Sequence, residues 1–148
     1  MGTLLDTTVF IELERALRGL PAATAMPEVV RRLEDQLGPT EEVAIAAITA
    51  SELLHGVHRA SNEHRARREA FVEAVLAAFP PLPFDLLCAR SHARLWANLA
   101  STGNDIGPHD RLVAATAITA GWRIGTANVR HFERVPGLDL LTITLAGT

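Results

Sequence analysis

Lysine is missing from this chain: all 14 of its Lys-plus-Arg residues are arginine. Every mechanism that depends on an ammonium group is thereby excluded. Receiver domains that accept a phosphoryl group and haloacid-dehalogenase-type phosphatases both fall on that ground. The phosphatase motif fails a second time, because "DTTV" at Asp6–Val9 carries Thr8 where its second acid belongs. Nothing resembling the P-loop pattern GxxxxGK[ST] occurs. A single cysteine, Cys88, rules out an internal disulfide framework and any thiolate zinc cluster, and reads as a small buried hydrophobe. The longest apolar runs, such as "VAIAAITA" at Val43–Ala50, are far too short to span a bilayer. Positive charge is not in excess. A net charge of −3 argues against the broad basic face that dominates non-specific nucleic-acid binding, yet leaves open a nucleic acid reached through a metal. Internal repeats, low-complexity tracts and Gly/Ser linkers are lacking, so a single domain over residues 1–148 is expected. Met1 leads directly into the first expected strand, which predicts no signal peptide and a cytoplasmic location.

What is present describes an ordinary globular domain, with 48% apolar and 21% charged residues. "GTLLD" reads as a short apolar strand ending in Asp6. The following "TTVFIELERAL" has helical spacing and is interrupted at Gly19-Leu20-Pro21. A second helix starts at about Ala22 or Pro27 and stops at Gly38-Pro39. Glu42–Ala47 reads as a buried strand. Thr49-Ala50-Ser51-Glu52 then matches a capping box that would open a third helix. Further helices are expected from about Glu63 to Phe79, from Asp85 or Leu86 to near Gly103, and over Asp110–Ala120. Short strands are expected at Leu82–Phe84, Trp122–Thr126 and Leu138–Ile143, and Pro108 suits a first helical position. Strands alternating with helices predict an α/β sandwich around a mainly parallel sheet.

Parallel sheets of this kind form sites in the crevice beyond the carboxyl ends of their strands. Asp6, Glu52, Asp110 and Asn128 come from four distant segments, and each falls on that predicted rim. Three are acids, which points to a hard cation held by oxygen. Each also has an ordinary structural role open to it. Asp6 could cap the helix after it, Glu52 could close the capping box onto Thr49, and Asp110 could complement the positive end of its helix.

His109 and His131 flank the expected site and are candidates for substrate contact, with ordinary helix positions as the alternative. Glu52, His55 and His58 have helical spacing, but a di-iron bundle needs a second Glu-x-x-His, and none is present. "RASNEHRARRE" at Arg59–Glu69 is the densest basic stretch. It reads as a solvated helix face, with phosphate contact by Arg65 and Arg68 as the functional alternative. Asp105 reads as a turn residue that could also serve as an auxiliary acid.

With these residues placed, the chain resembles the PIN-domain ribonucleases, specifically the VapC toxins of bacterial toxin–antitoxin pairs. The similar segments are "LLDTTVFIELER", "AITASELLHGV" and "NDIGPHDRLVAATAITAGWRIGTANVRHFERVPGL", in matching order over nearly the whole chain. The resemblance implies a PIN-like α/β/α sandwich and RNA cleavage dependent on Mg²⁺, with Mn²⁺ able to substitute. It implies that Asp6, Glu52 and Asp110 are metal ligands, and that Asn128 stands where many members carry a fourth Asp. Thr7, Ser51 and Thr126 resemble the family's small hydroxyl positions, and Arg130, with the two histidines, falls where RNA would pass. A homodimer and a cognate VapB-type antitoxin, its C-terminal tail in the acidic groove, are implied as well. A PIN-like module that only docks an Arg-rich segment in that groove is the alternative function.

Overall fold

The computed structural model describes residues 2–145. Five parallel strands form one sheet in the order β3-β2-β1-β4-β5. They are β1 (Gly2–Leu5), β2 (Glu42–Ala46), β3 (Pro81–Leu82), β4 (Arg123–Thr126) and β5 (Leu140–Thr142). Six helices connect them: α1 (Thr7–Ala16), α2 (Ala22–Leu37), α3 (Ala47–Arg59), α4 (Asn62–Ala78), α5 (Leu86–Ser101) and α6 (Pro108–Ala120). A 3-10 turn covers Val129–His131.

Alternation within β1 divides the core. Leu5 joins Phe10, Leu13, Val29, Ile45 and Val75 on the face covered by α1 to α4. Leu4 joins Ala44, Leu99, Val113, Ile124 and Phe132 on the face covered by α5 and α6. All four β1 residues are buried, as a central parallel strand with helices on both sides requires. The expected α/β/α sandwich is therefore present, with β1 at its centre.

Two connections differ from the sequence reading. The strand β2 ends at Ala46 and α3 begins immediately at Ala47, so the helix is already running at Thr49. The capping box is consequently not formed. No side-chain bond caps α3, and the buried Thr49 hydroxyl has no partner. Glu52 lies in the second turn of α3 instead of the first. The second is the entry to β3, which covers Pro81–Leu82 instead of Leu82–Phe84. The helix α6 begins at Pro108, the residue suited to a first helical position, with Asp110 in its first turn. Its exit follows the sequence. Gly121 takes φ 70°, a left-handed conformation that glycine adopts without penalty, and Trp122 N–H bonds back to the Ala117 carbonyl.

Gly125 in β4 has no room for a side chain. A Cβ there would lie 2.9 Å from Leu5 Cδ2, 3.0 Å from Thr3 Cγ2 and 3.3 Å from Ile143 Cγ1. Gly125→Ala is expected to destabilise the fold by about 1–3 kcal/mol through overpacking, measured by urea denaturation.

Candidate active site

The strand order reverses at β1, whose neighbours are β2 on one side and β4 on the other. The crevice beyond the carboxyl ends of β1 and β4 is thus the expected position for a site. Asp6 follows β1 directly, and Thr126 ends β4.

Asp6 is only 3% exposed. It occupies the N-cap position of α1, but its side chain makes no cap bond. Its oxygens are taken from elsewhere. The Thr8 hydroxyl donates to Oδ1 at 2.6 Å and the Thr126 hydroxyl donates to Oδ2 at 2.8 Å. Burial pushes the Asp6 carboxyl above its ordinary value, and these two hydroxyl bonds work against that rise.

Glu52 projects from α3 towards the same rim. Its Oε1 accepts a hydrogen bond from Thr7 at 2.7 Å, and its Oε2 lies 3.3 Å from His109 Nδ1. The adjacent threonines at the start of α1 therefore serve different acids, Thr7 holding Glu52 and Thr8 holding Asp6.

Asp110 is half-buried, and its Oδ2 lies 3.7 Å from His131 Nδ1. Burial again raises the carboxyl. His131 and His109 oppose the rise, and the negative charge of Glu52 adds to it. A Cβ at Gly107 would approach Asp110 Oδ2 to 3.4 Å, so glycine leaves that oxygen room beside the loop.

Asn128 follows β4 and caps the 3-10 turn, its Oδ1 accepting from Arg130 N–H at 3.2 Å. Its backbone N–H donates to Thr126 Oγ1 at 3.0 Å. Arg130 is exposed, and among the described residues it forms no ion pair. Ser51 is exposed on α3 and makes no side-chain bond to any of the acids among the described residues.

Asp105 is not drawn to the acids. It accepts from the buried Arg111 guanidinium at 2.8 Å, and that guanidinium lies 4.8 Å from the Trp96 ring centre. Arg65 and Arg68 are also engaged away from the rim. Arg65 donates to the Ala60 carbonyl, and Arg68 pairs with Glu14 at 2.9 Å. The residue at the site that sequence reasoning missed is Thr8, which bonds Asp6 and the Ala127 amide. Its signal was present in "DTTV", but the bond partners that define its role lie across the sheet.

The rim thus gathers Asp6, Glu52 and Asp110 with Thr7, Thr8, Thr126, His109 and His131. Among the described residues, no three His, Cys, Asp or Glu side chains stand close enough to form a ready cation set. The acids are held apart, two bonded to hydroxyls and two facing histidines. Chemically, the donors suit a hard divalent cation, because every acid oxygen is a carboxylate oxygen and no sulfur is near.

Comparison with known proteins identifies the family of the chain. A family model described as the PIN domain matches residues 3–138. Ribonuclease VapC1 of Rickettsia felis is 37% identical over 145 residues, covering 97% of this chain and 98% of its own length. Ribonuclease VapC of Rickettsia bellii is 34% identical, covering 98% of each. Among solved structures, DNA-bound VapBC from Salmonella typhimurium aligns with a TM-score of 0.78 at 27% identity, over 97% of this chain and 99% of that one. VapBC2 of Rickettsia felis, bound to a promoter DNA fragment, aligns with a TM-score of 0.79 at 25% identity, over 96% and 98%. The PIN-domain match over residues 3–138, together with VapC ribonucleases 37% and 34% identical along nearly the whole chain, places this protein in the PIN-domain family, among the VapC ribonucleases of toxin–antitoxin systems.

Proposed function

We propose that this ribonuclease toxin cleaves RNA phosphodiester bonds with the aid of Mg²⁺ or Mn²⁺ at the acidic rim. The observation that carries the reading is Asp6, a nearly inaccessible carboxylate held at both oxygens by hydroxyls yet placed at the mouth of the crevice. Asp6, Glu52 and Asp110 would hold the ion. Bound there, such an ion lowers the pKa of water and stabilises charge on phosphate oxygens. The chain's own residues prepare that chemistry. Thr7, Thr8 and Thr126 orient two of the acids without neutralising them. His109 and His131 each set a ring nitrogen against one of the acids, Nδ1 of His109 at 3.3 Å from Glu52 and Nδ1 of His131 at 3.7 Å from Asp110. Arg130, exposed beside them, supplies a cation for a flanking phosphate. Asn128 lowers the charge of the fourth corner while its oxygen maintains the turn.

Repulsion and burial give a test with a definite sign. Asp6 and Asp110 are both raised above the ordinary 3.8. A carboxyl that binds its proton more tightly in the folded state costs stability once ionised. That cost is absent below the unfolded value and complete once pH exceeds the raised folded value. At neutral pH, metal-free Asp110→Asn is therefore expected to melt a few degrees above wild type, the gain shrinking as pH falls towards 4. Added Mn²⁺ is expected to raise the melting temperature of wild type and to have little effect on Asp110→Asn. Equal shifts in the two proteins would count against a cation at this rim, and would favour a module that docks an Arg-rich segment.

Solved relatives are VapBC complexes, which supports a VapB-type antitoxin as partner of this chain. Two surfaces suit it. The acidic rim offers carboxylates to an antitoxin arginine. A cavity of about 890 Å³, away from the rim, opens between α4 and the α1–α2 connection. Leu20, Met26 and Phe71 line it together with Arg18 and Arg67, a lining suited to an amphipathic segment carrying acidic residues. Self-association as a homodimer would find an apolar face at Phe84, Leu86, Leu87 and Trp96, all exposed around α5. Among the described residues no helix is long and apolar enough to cross a membrane.

A further inference from the structure

Asp6 is held by two hydroxyls, and both hydroxyls are held from one short turn. Ala127 N–H donates to Thr8 Oγ1 at 3.0 Å, and Thr8 donates to Asp6 Oδ1 at 2.6 Å. Asn128 N–H donates to Thr126 Oγ1 at 3.0 Å, and Thr126 donates to Asp6 Oδ2 at 2.8 Å. Two consecutive amides after β4 thus feed two parallel chains that end on opposite oxygens of one carboxylate. Each hydroxyl has a single proton. With both protons committed to Asp6, the 3.2 Å contact between Thr8 Oγ1 and Thr126 Oγ1 carries no proton between them.

This arrangement has mechanical and electronic consequences. Rotation of the Asp6 carboxylate breaks both chains at once, so its plane is fixed relative to the turn. Hydrogen bonds aligned in series polarise one another, which strengthens each terminal O–H donor. Every carboxylate oxygen retains acceptor capacity beyond the bond it already takes. A threonine early in a helix ordinarily bonds its own local backbone. Thr8 departs from that habit, because its amide donor lies 119 residues away.

Resting on the reading of Asp6 as an acid of the cleavage site, we propose that Thr8 is a positioning residue for RNA cleavage. It ties the Asp6 carboxylate to the Ala127 amide, so that the α1 side and the β4 side of the crevice keep one relative geometry. Thr7, its neighbour, does not share this role, because its hydroxyl goes to Glu52. Thr126 shares it from the strand side, but is wholly buried, so that its replacement also disturbs packing. Thr8 is the cleaner target.

The test compares Thr8→Val, which preserves shape and removes the hydroxyl, with Thr8→Ser, which preserves the hydroxyl. Three quantities are read: kcat and KM on a long single-stranded RNA transcript, Mn²⁺ affinity by calorimetry, and hydrogen exchange of the Ala127 amide in metal-free protein. Thr8→Val is expected to lose about 10–100-fold in kcat or in Mn²⁺ affinity. KM for RNA stays near its wild-type value, and the Ala127 amide exchanges faster. Thr8→Ser recovers most of the activity and the slow exchange. Wild-type kcat and exchange in Thr8→Val would overturn the proposal, as would Thr8→Ser failing as badly as Thr8→Val. If wild type itself neither cleaves RNA nor binds Mn²⁺, the nuclease reading falls. The amide exchange of the two variants then decides by itself whether Thr8 holds the turn to Asp6: unchanged exchange overturns that hold, and faster exchange in Thr8→Val alone upholds it.

Discussion

Asp6→Asn is expected to lower the rate of RNA cleavage by at least about a hundredfold while leaving the protein folded. The substitution keeps the size and shape of the side chain and removes its charge. In the buried position of Asp6 that charge is a cost to the folded state, since burial raises the carboxyl. The threonine clamp tolerates the amide. One hydroxyl continues to donate to the amide oxygen, and the other can turn to accept from the amide nitrogen. Metal-free Asp6→Asn should therefore melt at or above the wild-type temperature, and its lost activity cannot be assigned to unfolding. Asn128→Ala provides the contrast. Asn128 carries no charge, and its Oδ1 caps the 3-10 turn. Its removal is expected to weaken cleavage by far less than Asp6→Asn.

Phe132→Ala is expected to cost about 3–5 kcal/mol of folding stability, a large share of what a domain of this size holds. Phe132 is fully buried and packs with Leu4, Val113, Ile124 and Val135 on the α5–α6 face of the sheet. It also ends the 3-10 turn, its N–H bonding to the Val129 carbonyl at 3.0 Å. The turn that supplies the Ala127 and Asn128 amides is thus anchored in the core by one aromatic ring. Urea denaturation measures the effect, with the midpoint falling and the slope unchanged if the loss is one of packing. Residual folded Phe132→Ala should cleave RNA more slowly than its folded fraction explains, because the amides that hold Thr8 and Thr126 lose their support.

The parts of this design that were legible in the sequence share a local signal. A short apolar run followed by Asp6 and a helical pattern marks the end of a strand, and Pro108 and Gly121 punctuate α6 at both ends. Those signals were enough to place Asp6 directly after β1 and Asp110 in the first turn of α6. The start of α3 was not legible. "AIAAITA" runs from strand into helix through small and apolar residues, and periodicity does not separate the two in so short a span. The capping-box pattern at Thr49 then suggested a helix start that the chain has already passed. Glu52 consequently looked like a partner for the Thr49 backbone, whereas it bonds Thr7 from the neighbouring helix.

Long-range pairing accounts for the remainder. Thr8 meets Thr126 and Ala127 because β1 and β4 are adjacent in the sheet, which no spacing within "DTTV" reveals. Asp105 looked available as an extra acid until Arg111, itself packed on Trp96, engaged it. Residue types alone identified the acids, but the order of strands determined which hydroxyl serves each of them.

We propose that Asp6, Glu52 and Asp110 cleave RNA with a bound divalent ion. Single-turnover cleavage of one RNA transcript by wild type and Asp6→Asn, each with Mg²⁺ and with the ion chelated, tests it most directly. Wild type is expected to cleave rapidly with Mg²⁺ and again when Mg²⁺ is restored after chelation, with near-background rates in the other three conditions. Undiminished cleavage by chelated wild type, or by Asp6→Asn with Mg²⁺, would contradict it.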